Sequence, residues 1–423
     1  METADKRSVI VVGGGIGGLA AALALAQKGI AVRLFEQAPE FKEIGAGIQL
    51  GPNVFRMFEC LGVTDEINKF AVFPESLLMR DSVTGQEVTR ISLGKEFLAK
   101  FNYPYAVIHR ADLHRVLLAA NQQERLIELR PATKIETVEE GSNGIVVRTD
   151  TGERHSADAL IGADGLWSTI RPLIVNDGKP VVSGHIAYRA VLPTSEMPEH
   201  LRWQSMALWA GDKVHLVHYP LRGGGLFNLV AVFHSNKYEE GWDTFGAPEE
   251  LHERFAGTCA EVRTLLGKIE SWRMWVLCDR QPVKEWSRGR MTLLGDAAHP
   301  MYPIGSNGAS QAILDARVLA GCLRRHRDDV AEALARYEQA RGPATAAIVG
   351  ANRGLGPELP MQLVEERAPD GFSDIADVIT PEEIAEVTER YRATAGFSLA
   401  ALRRGVSLLE EPYPSGDADG LRS

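Results

Sequence analysis

The first forty residues contain the pattern that most constrains how this chain folds. A short β-branched run, Val9–Val12, is followed by a cluster of glycines and then by the Ala- and Leu-rich stretch Ile16–Lys28. Gly29 stands where a helix C-cap is expected, and a second strand-like run, Ala31–Glu36, comes next. The order of strand, glycines, helix and strand predicts a β-α-β unit with two buried parallel strands.

The glycines of this unit are spaced as Gly13-x-Gly15-x-x-Gly18. The first glycine of such a motif permits a tight turn, the second lets a pyrophosphate approach the backbone, and the third lets the helix pack closely on the strand. The helix N-terminus adds unpaired N–H groups and a positive dipole end. Glu36 ends the second strand, where an acidic side chain accepts hydrogen bonds from a ribose. We therefore predict that Gly13, Gly15, Gly18 and Glu36 bind a dinucleotide.

Charge, hydrophobicity and cysteine content argue against several other functions. The formal charge of the 423 residues is −10, whereas nucleic-acid binding needs a basic surface, so we expect no nucleic-acid partner. Apart from the glycine-containing start, no stretch has the roughly 18 apolar residues of a membrane span, and we expect no membrane association. The four cysteines are scattered without metal-type spacing. We expect reduced thiols, no metal and a cytoplasmic location.

Later segments predict a second domain built on an antiparallel sheet. Three long alternating runs, His185–Leu192, Met206–Leu221 and Leu226–His234, fit such a sheet better than further β-α-β units. Met291–Leu294 is interpreted as another short buried strand of the first domain. The predicted fold class is α/β, with a Rossmann-like nucleotide-binding domain interrupted by an antiparallel β-sheet substrate domain (α+β) and followed by C-terminal helices.

Neither domain is expected to be continuous in sequence. The nucleotide-binding domain is expected in residues 1–75, 106–180 and 279–355, the antiparallel-sheet domain in residues 76–105 and 181–278, and a C-terminal helical segment with a flexible tail in residues 356–423. The end of that tail, Glu410–Ser423, is polar and rich in Gly and Pro, a composition typical of disorder.

Four further segments occur in the order found in one enzyme family. They are His109-Arg110-Ala111-Asp112-Leu113, Gly162-Ala163-Asp164-Gly165, Asp279-Arg280-x-Pro282 and Leu294-Gly295-Asp296-Ala297-Ala298-His299-Pro300. Together with the glycine motif they resemble the signatures of the class A FAD-dependent aromatic hydroxylases. The resemblance covers nearly the whole chain up to about residue 350. Among these enzymes the chain is most similar to 3-hydroxybenzoate 6-hydroxylases, with 6-hydroxynicotinate 3-monooxygenases and salicylate hydroxylases as relatives.

The resemblance implies a cofactor, co-substrates and a reaction. FAD is the implied cofactor, NADH or NADPH reduces it, and O2 adds to form a C4a-hydroperoxide whose distal oxygen attacks an activated phenol ring. The implied substrate is a small phenolic aromatic acid similar to 3-hydroxybenzoate, hydroxylated at C6 to gentisate. A homodimer is also expected. The residues implied to contact FAD, besides those of the glycine motif and Glu36, are Gly47, Arg110, Asp164, Asp296 and Gly308.

Activation of a phenol requires a base within hydrogen-bonding reach of its hydroxyl group. In Val214–Tyr219 the two-residue strand period places His215, Val217 and Tyr219 on one face, and the ordinary pKa of histidine is near neutrality. From the residues alone, a structural histidine and a packed tyrosine remain open. With the resemblance, we predict that His215 and Tyr219 form the base or a proton relay.

Three further residues are expected to line the substrate pocket. Gln49 stands where the hydroxynicotinate relatives carry a histidine, and Tyr105 belongs to another stretch similar to the family. Pro303 stands where 3-hydroxybenzoate 6-hydroxylases carry a glutamine. Its loop, Met301–Gln311, and the C-terminal tail are more similar to phenazine-carboxylate monooxygenases, which leaves a hydroxypyridine or phenazine carboxylate open as substrate. Since a fold does not fix a function, a flavin oxidoreductase that inserts no oxygen and a non-catalytic nucleotide-binding regulator stay open as alternatives.

Overall fold

A computed structural model describes residues 7–42, 45–142, 144–211, 213–235, 244–354, 356–369, 371–400 and 402. The predicted disordered end, Glu410–Ser423, lies outside these residues. Within them, no helix combines the length and the hydrophobicity required to span a bilayer.

The strands, in chain order, are β1 (Ser8–Val12), β2 (Ala31–Phe35), β3 (Gly47–Leu50), β4 (Ser76–Asp81), β5 (Glu87–Ser92), β6 (Ala106–His109), β7 (Ile127–Arg130), β8 (Ile135–Gly141), β9 (Gly144–Thr149), β10 (Arg154–Ala157), β11 (Ala159–Gly162), β12 (Val181–Pro193), β13 (Met206–Gly211), β14 (Val214–Leu221), β15 (Leu226–His234), β16 (Thr244–Gly246), β17 (Trp272–Asp279), β18 (Ser287–Arg288) and β19 (Met291–Leu293).

The helices are α1 (Ile16–Ala26), α2 (Pro52–Leu61), α3 (Thr64–Asn68), α4 (Lys95–Phe101), α5 (Arg110–Gln123), α6 (Arg171–Ile174), α7 (Pro248–Arg254), α8 (Ala260–Leu266), α9 (Gly308–Arg325), α10 (Val330–Arg353), α11 (Leu359–Arg367) and α12 (Pro381–Ala395). A short 3-10 helix, Gly356–Glu358, precedes α11.

A six-stranded sheet contains the predicted β-α-β unit and has the strand order β18-β19-β11-β1-β2-β7. Strand β1 pairs in parallel with β2 and β11, and β11 pairs in parallel with β19. The register places Val12 beside both Phe35 and Gly162, and Gly162 beside Leu293. Because these strands end in line, the loops after them all begin at one edge of the sheet, where ligands of such sheets bind.

The second sheet has eight strands in the order β16-β17-β12-β15-β14-β13-β4-β5. All pairs of adjacent strands in this sheet are antiparallel except the pair of β13 and β4. The predicted α/β class with an inserted antiparallel sheet is therefore confirmed. One detail of the prediction is wrong, because Met206–Leu221 forms a hairpin of two strands and not one. Lys213 adopts a left-handed φ of 57° in its turn, the conformation that a tight hairpin requires.

The two faces of the eight-stranded sheet have different environments. One face carries large apolar side chains, among them Tyr188, Leu216 and Phe233, which pack against α7 and α8. On the other face, Leu208 and its neighbours pack against Met361 of α11. Helices α11 and α12 therefore cover part of the sheet face that carries His215 and Tyr219.

A buried ion-pair network holds the segment after β19 in place. Asp315 of α9 is fully buried. Its Oδ2 accepts hydrogen bonds from His299 Nε2 (2.6 Å) and Gly295 N (3.1 Å), and its Oδ1 accepts one from Arg341 Nε of α10 (2.6 Å). Burial acts to raise the pKa of Asp315, but the charges and hydrogen bonds of His299 and Arg341 outweigh it and hold the pKa at about 2.

Replacing Asp315 with asparagine should destabilise the protein strongly at neutral pH. The substitution leaves the Arg341 charge buried without its counterion, a change that costs about 3–5 kcal/mol. Because the folded-state pKa of Asp315 is depressed, its contribution is complete above the unfolded pKa of about 3.9 and is lost as the pH falls towards 2. Thermal melts of the two proteins should therefore differ most at neutral pH and converge in acid.

The same substitution at the exposed Asp328 is the matched control, and it should leave the melting temperature nearly unchanged. A melting temperature of Asp315→Asn equal to that of the unmodified protein at pH 7 would contradict the assigned role of Asp315.

Candidate active site

The glycine turn after β1 has the shape that a dinucleotide requires. Gly13 has a φ of 109°, and a Cβ added there would lie 2.4 Å from the Ala163 carbonyl oxygen. A Cβ at Gly18 would lie 1.9 Å from the Gly13 oxygen, whereas one at Gly15 would meet no atom within 4 Å. The turn is therefore packed tightly against the protein at Gly13 and Gly18 and is open at Gly15, in front of the α1 N-terminus, where a pyrophosphate can bind.

Glu36 lies beside this turn. Its Oε2 accepts a hydrogen bond from Gly14 N (2.7 Å), and its Oε1 accepts one from Ala38 N (2.8 Å). A carboxylate has about four acceptor positions, so these two bonds fix the side chain and leave capacity for ribose hydroxyls.

Asp164 and the loop after it are held by a local network. The Asp164 carboxylate accepts hydrogen bonds from Ser168 Oγ (2.5 Å), Thr169 N (2.7 Å) and Ile170 N (3.2 Å). Asp164 therefore stabilises the conformation of its own loop, and any contact with FAD would be in addition to these hydrogen bonds.

The buried Arg171, a few residues later, links this loop to the segment after β19. Its Nη1 donates to the carbonyls of Ala297 (2.7 Å) and Ala298 (2.8 Å), and its Nη2 contacts Asp177 at 2.6 Å. The two aspartate segments predicted from sequence are thus brought together through Arg171, which belongs to the family-like segment around Asp164 but whose contacts with the second segment the sequence did not predict.

Asp296 is available for a ligand. Its residue is exposed, and no described residue donates a hydrogen bond to its carboxylate. Gly308, the first residue of α9, lies next to it, since a Cβ added at Gly308 would be 3.7 Å from Asp296 Oδ1. A polyhydroxylated chain placed here would meet both a free carboxylate and the N-terminus of a long helix.

Gly47 connects the nucleotide cleft to the eight-stranded sheet. Its N–H donates to Asn228 Oδ1 of β15 (2.8 Å) in a buried hydrogen bond. A Cβ at Gly47 would lie 2.4 Å from the Tyr219 ring, so the backbone lies directly on that ring. The neighbouring Gly45 packs against the Arg110 side chain in the same way, with a Cβ-to-Cδ distance of 3.0 Å.

The predicted pocket residues form a cluster around three tyrosines. Tyr105 donates its hydroxyl hydrogen to Gln49 Oε1 (2.5 Å) and packs in the apolar cluster that contains Tyr219. Burial raises the pKa of Tyr105, and the nearby Tyr391 and Tyr219 raise it further. Burial also raises the pKa of Tyr219. Both hydroxyls therefore stay protonated at neutral pH: Tyr105 donates its hydrogen to Gln49, and Tyr219 keeps a hydrogen that a bound ligand can accept.

Tyr391 reaches this cluster from α12. Its hydroxyl lies 2.7 Å from Asn307 Nδ2 and donates to Asn352 Oδ1 (3.1 Å). A Cβ at Gly305 would lie 1.8 Å from that hydroxyl oxygen, so Tyr391 packs against the loop that contains Pro303. The Pro303 carbonyl itself accepts a hydrogen bond from Ser306 N (2.8 Å).

His215 lies on the same sheet face as Tyr219, as the strand period predicted. It pairs across the sheet with Val232, and Tyr219 pairs with Asn228. The His215 Nδ1 atom lies 2.6 Å from Oε2 of Glu358, the last residue of the 3-10 helix before α11. This carboxylate comes from the C-terminal segment, beyond the stretch that carried the family resemblance.

Arg189 of β12 lies on this face as well, opposite Val230 in the register. Its guanidinium carbon lies 5.2 Å from the centroid of the Trp275 ring, and its Nε is buried without a hydrogen-bond partner among the described residues. Burial lowers the pKa of Arg189, and the nearby Arg110 contributes in the same direction. The sheet face thus carries a partly buried cation close to Tyr219.

The predicted residues therefore divide into two adjoining groups. Those predicted to bind FAD lie around the common edge of the parallel strands, and those predicted to bind substrate lie around Tyr105 and Tyr219. The donors and open space at the edge fit a dinucleotide. Sequence reasoning placed Arg171 in the Asp164 segment without predicting its contacts, and it missed Asn228, Asp315, Arg341, Glu358 and Tyr391, which no short motif marks.

Comparisons with known proteins agree with this geometry. A family described as an FAD binding domain matches residues 6–352. The 3-hydroxybenzoate 6-hydroxylase of Polaromonas naphthalenivorans (strain CJ2) is 42% identical over 375 residues, which is 86% of this chain and 94% of the relative. The 3-hydroxybenzoate 6-hydroxylase of Klebsiella oxytoca is 45% identical over 347 residues, covering 82% of this chain and 87% of the relative.

A solved structure agrees as well. The crystal structure of Klebsiella pneumoniae HpxO complexed with FAD and uric acid superposes with a TM-score of 0.77 at 25% identity and covers 91% of this chain and 97% of HpxO. A family match over most of the chain, together with relatives above 40% identity, shows the family. The chain belongs to the FAD-binding-domain family of flavin-dependent aromatic-ring monooxygenases.

Proposed function

We propose that this chain hydroxylates a small phenolic aromatic acid, with 3-hydroxybenzoate converted at C6 to gentisate as the first choice, and that it uses NAD(P)H and O2. The observation that carries the proposal is the position of Gly47. Its backbone lies on the Tyr219 ring and is hydrogen-bonded to Asn228, so a flavin bound beside Gly47 meets the polar face of the sheet. Relatives above 40% identity that are named 3-hydroxybenzoate 6-hydroxylases support the choice of substrate.

The residues at the strand edge hold the cofactor in this proposal. Gly13, Gly15 and Gly18 admit the pyrophosphate at the α1 N-terminus, and Glu36 accepts the ribose hydroxyls. Asp296 and the N-terminus of α9 at Gly308 bind the ribityl chain. Asp164 and Arg110 complete the walls of the cleft. FAD, when bound and reduced, supplies the chemistry that activates O2 and delivers one oxygen atom to the ring.

The proton transfer is assigned to the sheet face. His215 takes the proton from the phenolic hydroxyl, which makes the ring a stronger nucleophile. Burial raises the pKa of Tyr219, so Tyr219 serves as a hydrogen-bond donor or as part of a proton relay with His215, and His215 is the base. Tyr105 donates its only hydroxyl hydrogen to Gln49 Oε1, so it can offer the substrate an acceptor lone pair.

An acid is favoured as substrate because the pocket face carries a partly buried cation, Arg189. Arg189 has no described carboxylate within ion-pairing distance, and an unpaired charge is costly to bury. A carboxylate on the substrate offsets that cost.

The position of Pro303 favours a second candidate, an N-heteroaromatic carboxylate, and the HpxO structure contains uric acid, an N-heteroaromatic compound. The homodimer, the cytoplasmic location and the choice between NADH and NADPH stay predictions.

A substrate panel with labelled oxygen tests the proposed reaction. Hydroxybenzoates, hydroxypyridine carboxylates and phenazine carboxylates are supplied in turn with NADH or NADPH under ¹⁸O2. We expect 3-hydroxybenzoate to accelerate NAD(P)H oxidation and to yield gentisate that carries one ¹⁸O atom. A pyridine or phenazine product would select the second candidate. Oxidation of NAD(P)H without ¹⁸O in any product would identify an oxidoreductase that inserts no oxygen.

Substitution of Asp296 tests the cofactor site. Asp296→Ala removes an exposed carboxylate that no described residue needs, so the protein should fold normally. Its affinity for FAD should fall about 10- to 100-fold, the range for loss of hydrogen bonds to a charged group. Ultrafiltration of the yellow protein measures the flavin released, and Asp328→Ala is the control. Equal retention of FAD by both variants would remove Asp296 from the site.

Substitution of His215 tests the base. His215→Ala should keep its FAD but lose about 100-fold or more in hydroxylation, the usual contribution of a general base. Continued NAD(P)H oxidation with little product would show uncoupling. His252→Ala, on the exposed side of α7, is the control and should behave as the unmodified enzyme. Full coupled turnover by His215→Ala would mean that His215 is only a packing residue.

A further inference from the structure

We propose that Glu358 is a positioning residue for the catalytic base, so that His215 and Glu358 act as a histidine–carboxylate dyad. The inference rests on the proposed function, because it matters only if His215 takes the phenolic proton. It assigns the segment after residue 355 a part in the reaction.

The geometry of the pair supports the assignment. Nδ1 of His215 lies 2.6 Å from Oε2 of Glu358, a distance short enough for a charge-assisted hydrogen bond, although the angle does not complete one and Oε2 is buried without a donor among the described residues. The side chains are only 21% and 13% exposed, so solvent screens the contact less than it would a surface pair. Contacts of this kind often reach their best alignment only when substrate is bound.

The position of Glu358 is fixed by the substrate pocket itself. Glu358 ends the 3-10 helix that starts at Gly356, and a Cβ at Gly356 would lie 2.9 Å from Cε2 of Tyr391. Tyr391 in turn is hydrogen-bonded to Asn307 and Asn352. One set of contacts therefore holds the carboxylate, a pocket tyrosine and the Pro303 loop together.

The chemistry depends on which nitrogen faces the carboxylate. A neutral imidazole carries one N–H, and a carboxylate at Nδ1 selects the tautomer with the hydrogen there. Nε2 then keeps its lone pair and can accept the phenolic proton. The phenol O–H bond breaks and the Nε2–H bond of His215 forms. Glu358 then stabilises the positive charge on the His215 imidazolium.

The charges around His215 favour this direction of transfer. Burial acts to lower the pKa of His215, but the charge of the adjacent Glu358, with a smaller contribution from Glu365 of α11, outweighs burial and raises the pKa above its ordinary value. His185 of β12 also lies within electrostatic reach of His215. His215 is therefore a stronger base than an isolated histidine, and activity should be lost as the pH falls through its raised pKa.

A purely structural role for Glu358 has to be separated from this one. The same contact could serve only to attach the C-terminal segment to the sheet. In that case the loss of Glu358 would lower stability or substrate affinity, but it would not change the basicity of the group that limits turnover. The experiment therefore measures kcat, KM, coupling and the pH profile of kcat/KM, which reports the essential base of the free enzyme.

The test compares FAD-loaded enzyme carrying Glu358→Ala, Glu358→Gln or Glu358→Asp. We expect Glu358→Ala to lower the coupled kcat about 10- to 100-fold with little change in KM. The acid limb of its kcat/KM pH profile should move to lower pH, because the Glu358 charge that raises the His215 pKa is gone. Glu358→Gln keeps the size and removes the charge, so it should shift the acid limb in the same direction. Glu358→Asp should recover part of the activity.

A double substitution and a control complete the design. Added to His215→Ala, Glu358→Ala should cause no further loss, because groups that act as a unit are not additive. Glu366→Gln removes a charge from the exposed side of α11 and should leave all parameters unchanged. Glu358→Gln, which conserves volume, decides the matter if Glu358→Ala loses its flavin.

Two failures can be told apart. If His215→Ala loses turnover while Glu358→Gln keeps both the rate and the acid limb of the unmodified enzyme, the dyad is wrong and the proposed base stands. If His215→Ala keeps full coupled turnover, the proposed base is wrong and the dyad fails with it. Additive losses in the double variant would also overturn the dyad.

Discussion

The parallel register of β1, β2, β11 and β19 is the constraint on which the site depends. Val12, Phe35, Gly162 and Leu293 end in line, so the four loops after them open at one edge, although they are far apart in sequence. Alignment of strands alone does not fix the loops. Arg171 joins two of them through backbone carbonyls, and Asp315 holds the last one against α9 and α10. The buried, hydrogen-bonded charges of Arg171 and Asp315 thus fix the loops that form a cleft at the edge of the sheet.

Much of the fold could be predicted because its signals are local. The glycine spacing sets the turn and the first helix, and strand periodicity sets the shared face of His215 and Tyr219. The hairpin of β13 and β14 was not predicted, because its short turn lies within an otherwise regular alternation of apolar and polar residues. The ion pair of Asp315 with Arg341 could not be predicted, since pairing between distant charges leaves no pattern in sequence. Arg171 belongs to the family-like segment around Asp164, but its bonds to the Ala297 and Ala298 carbonyls could not be predicted either. Asn228 and Gly47 illustrate the same limit: they are 181 residues apart.

The C-terminal segment was the least predictable part of the site. The resemblance to 3-hydroxybenzoate 6-hydroxylases ends near residue 350. Beyond that point the sequence predicts helices, a polar tail and a likeness to phenazine-carboxylate monooxygenases, but no site residue. In the structure, Tyr391 enters the tyrosine cluster and Glu358 meets His215. Such a segment can vary between relatives while the cofactor cleft stays the same, which is one physical route by which a common flavin site serves different rings. We therefore expect substrate choice to depend more on the sheet face and this segment than on the nucleotide motif.

The central claim is that one flavin dinucleotide spans the strand edge and ends beside Gly47. A crystal structure of the protein purified with its bound cofactor tests this most directly. We predict electron density for FAD with its pyrophosphate in front of Gly15, its ribityl chain within hydrogen-bonding distance of Asp296, and its ring system next to Gly47 on the Tyr219 side. Density for a dinucleotide elsewhere, or a ring system that does not reach Gly47, would contradict the claim.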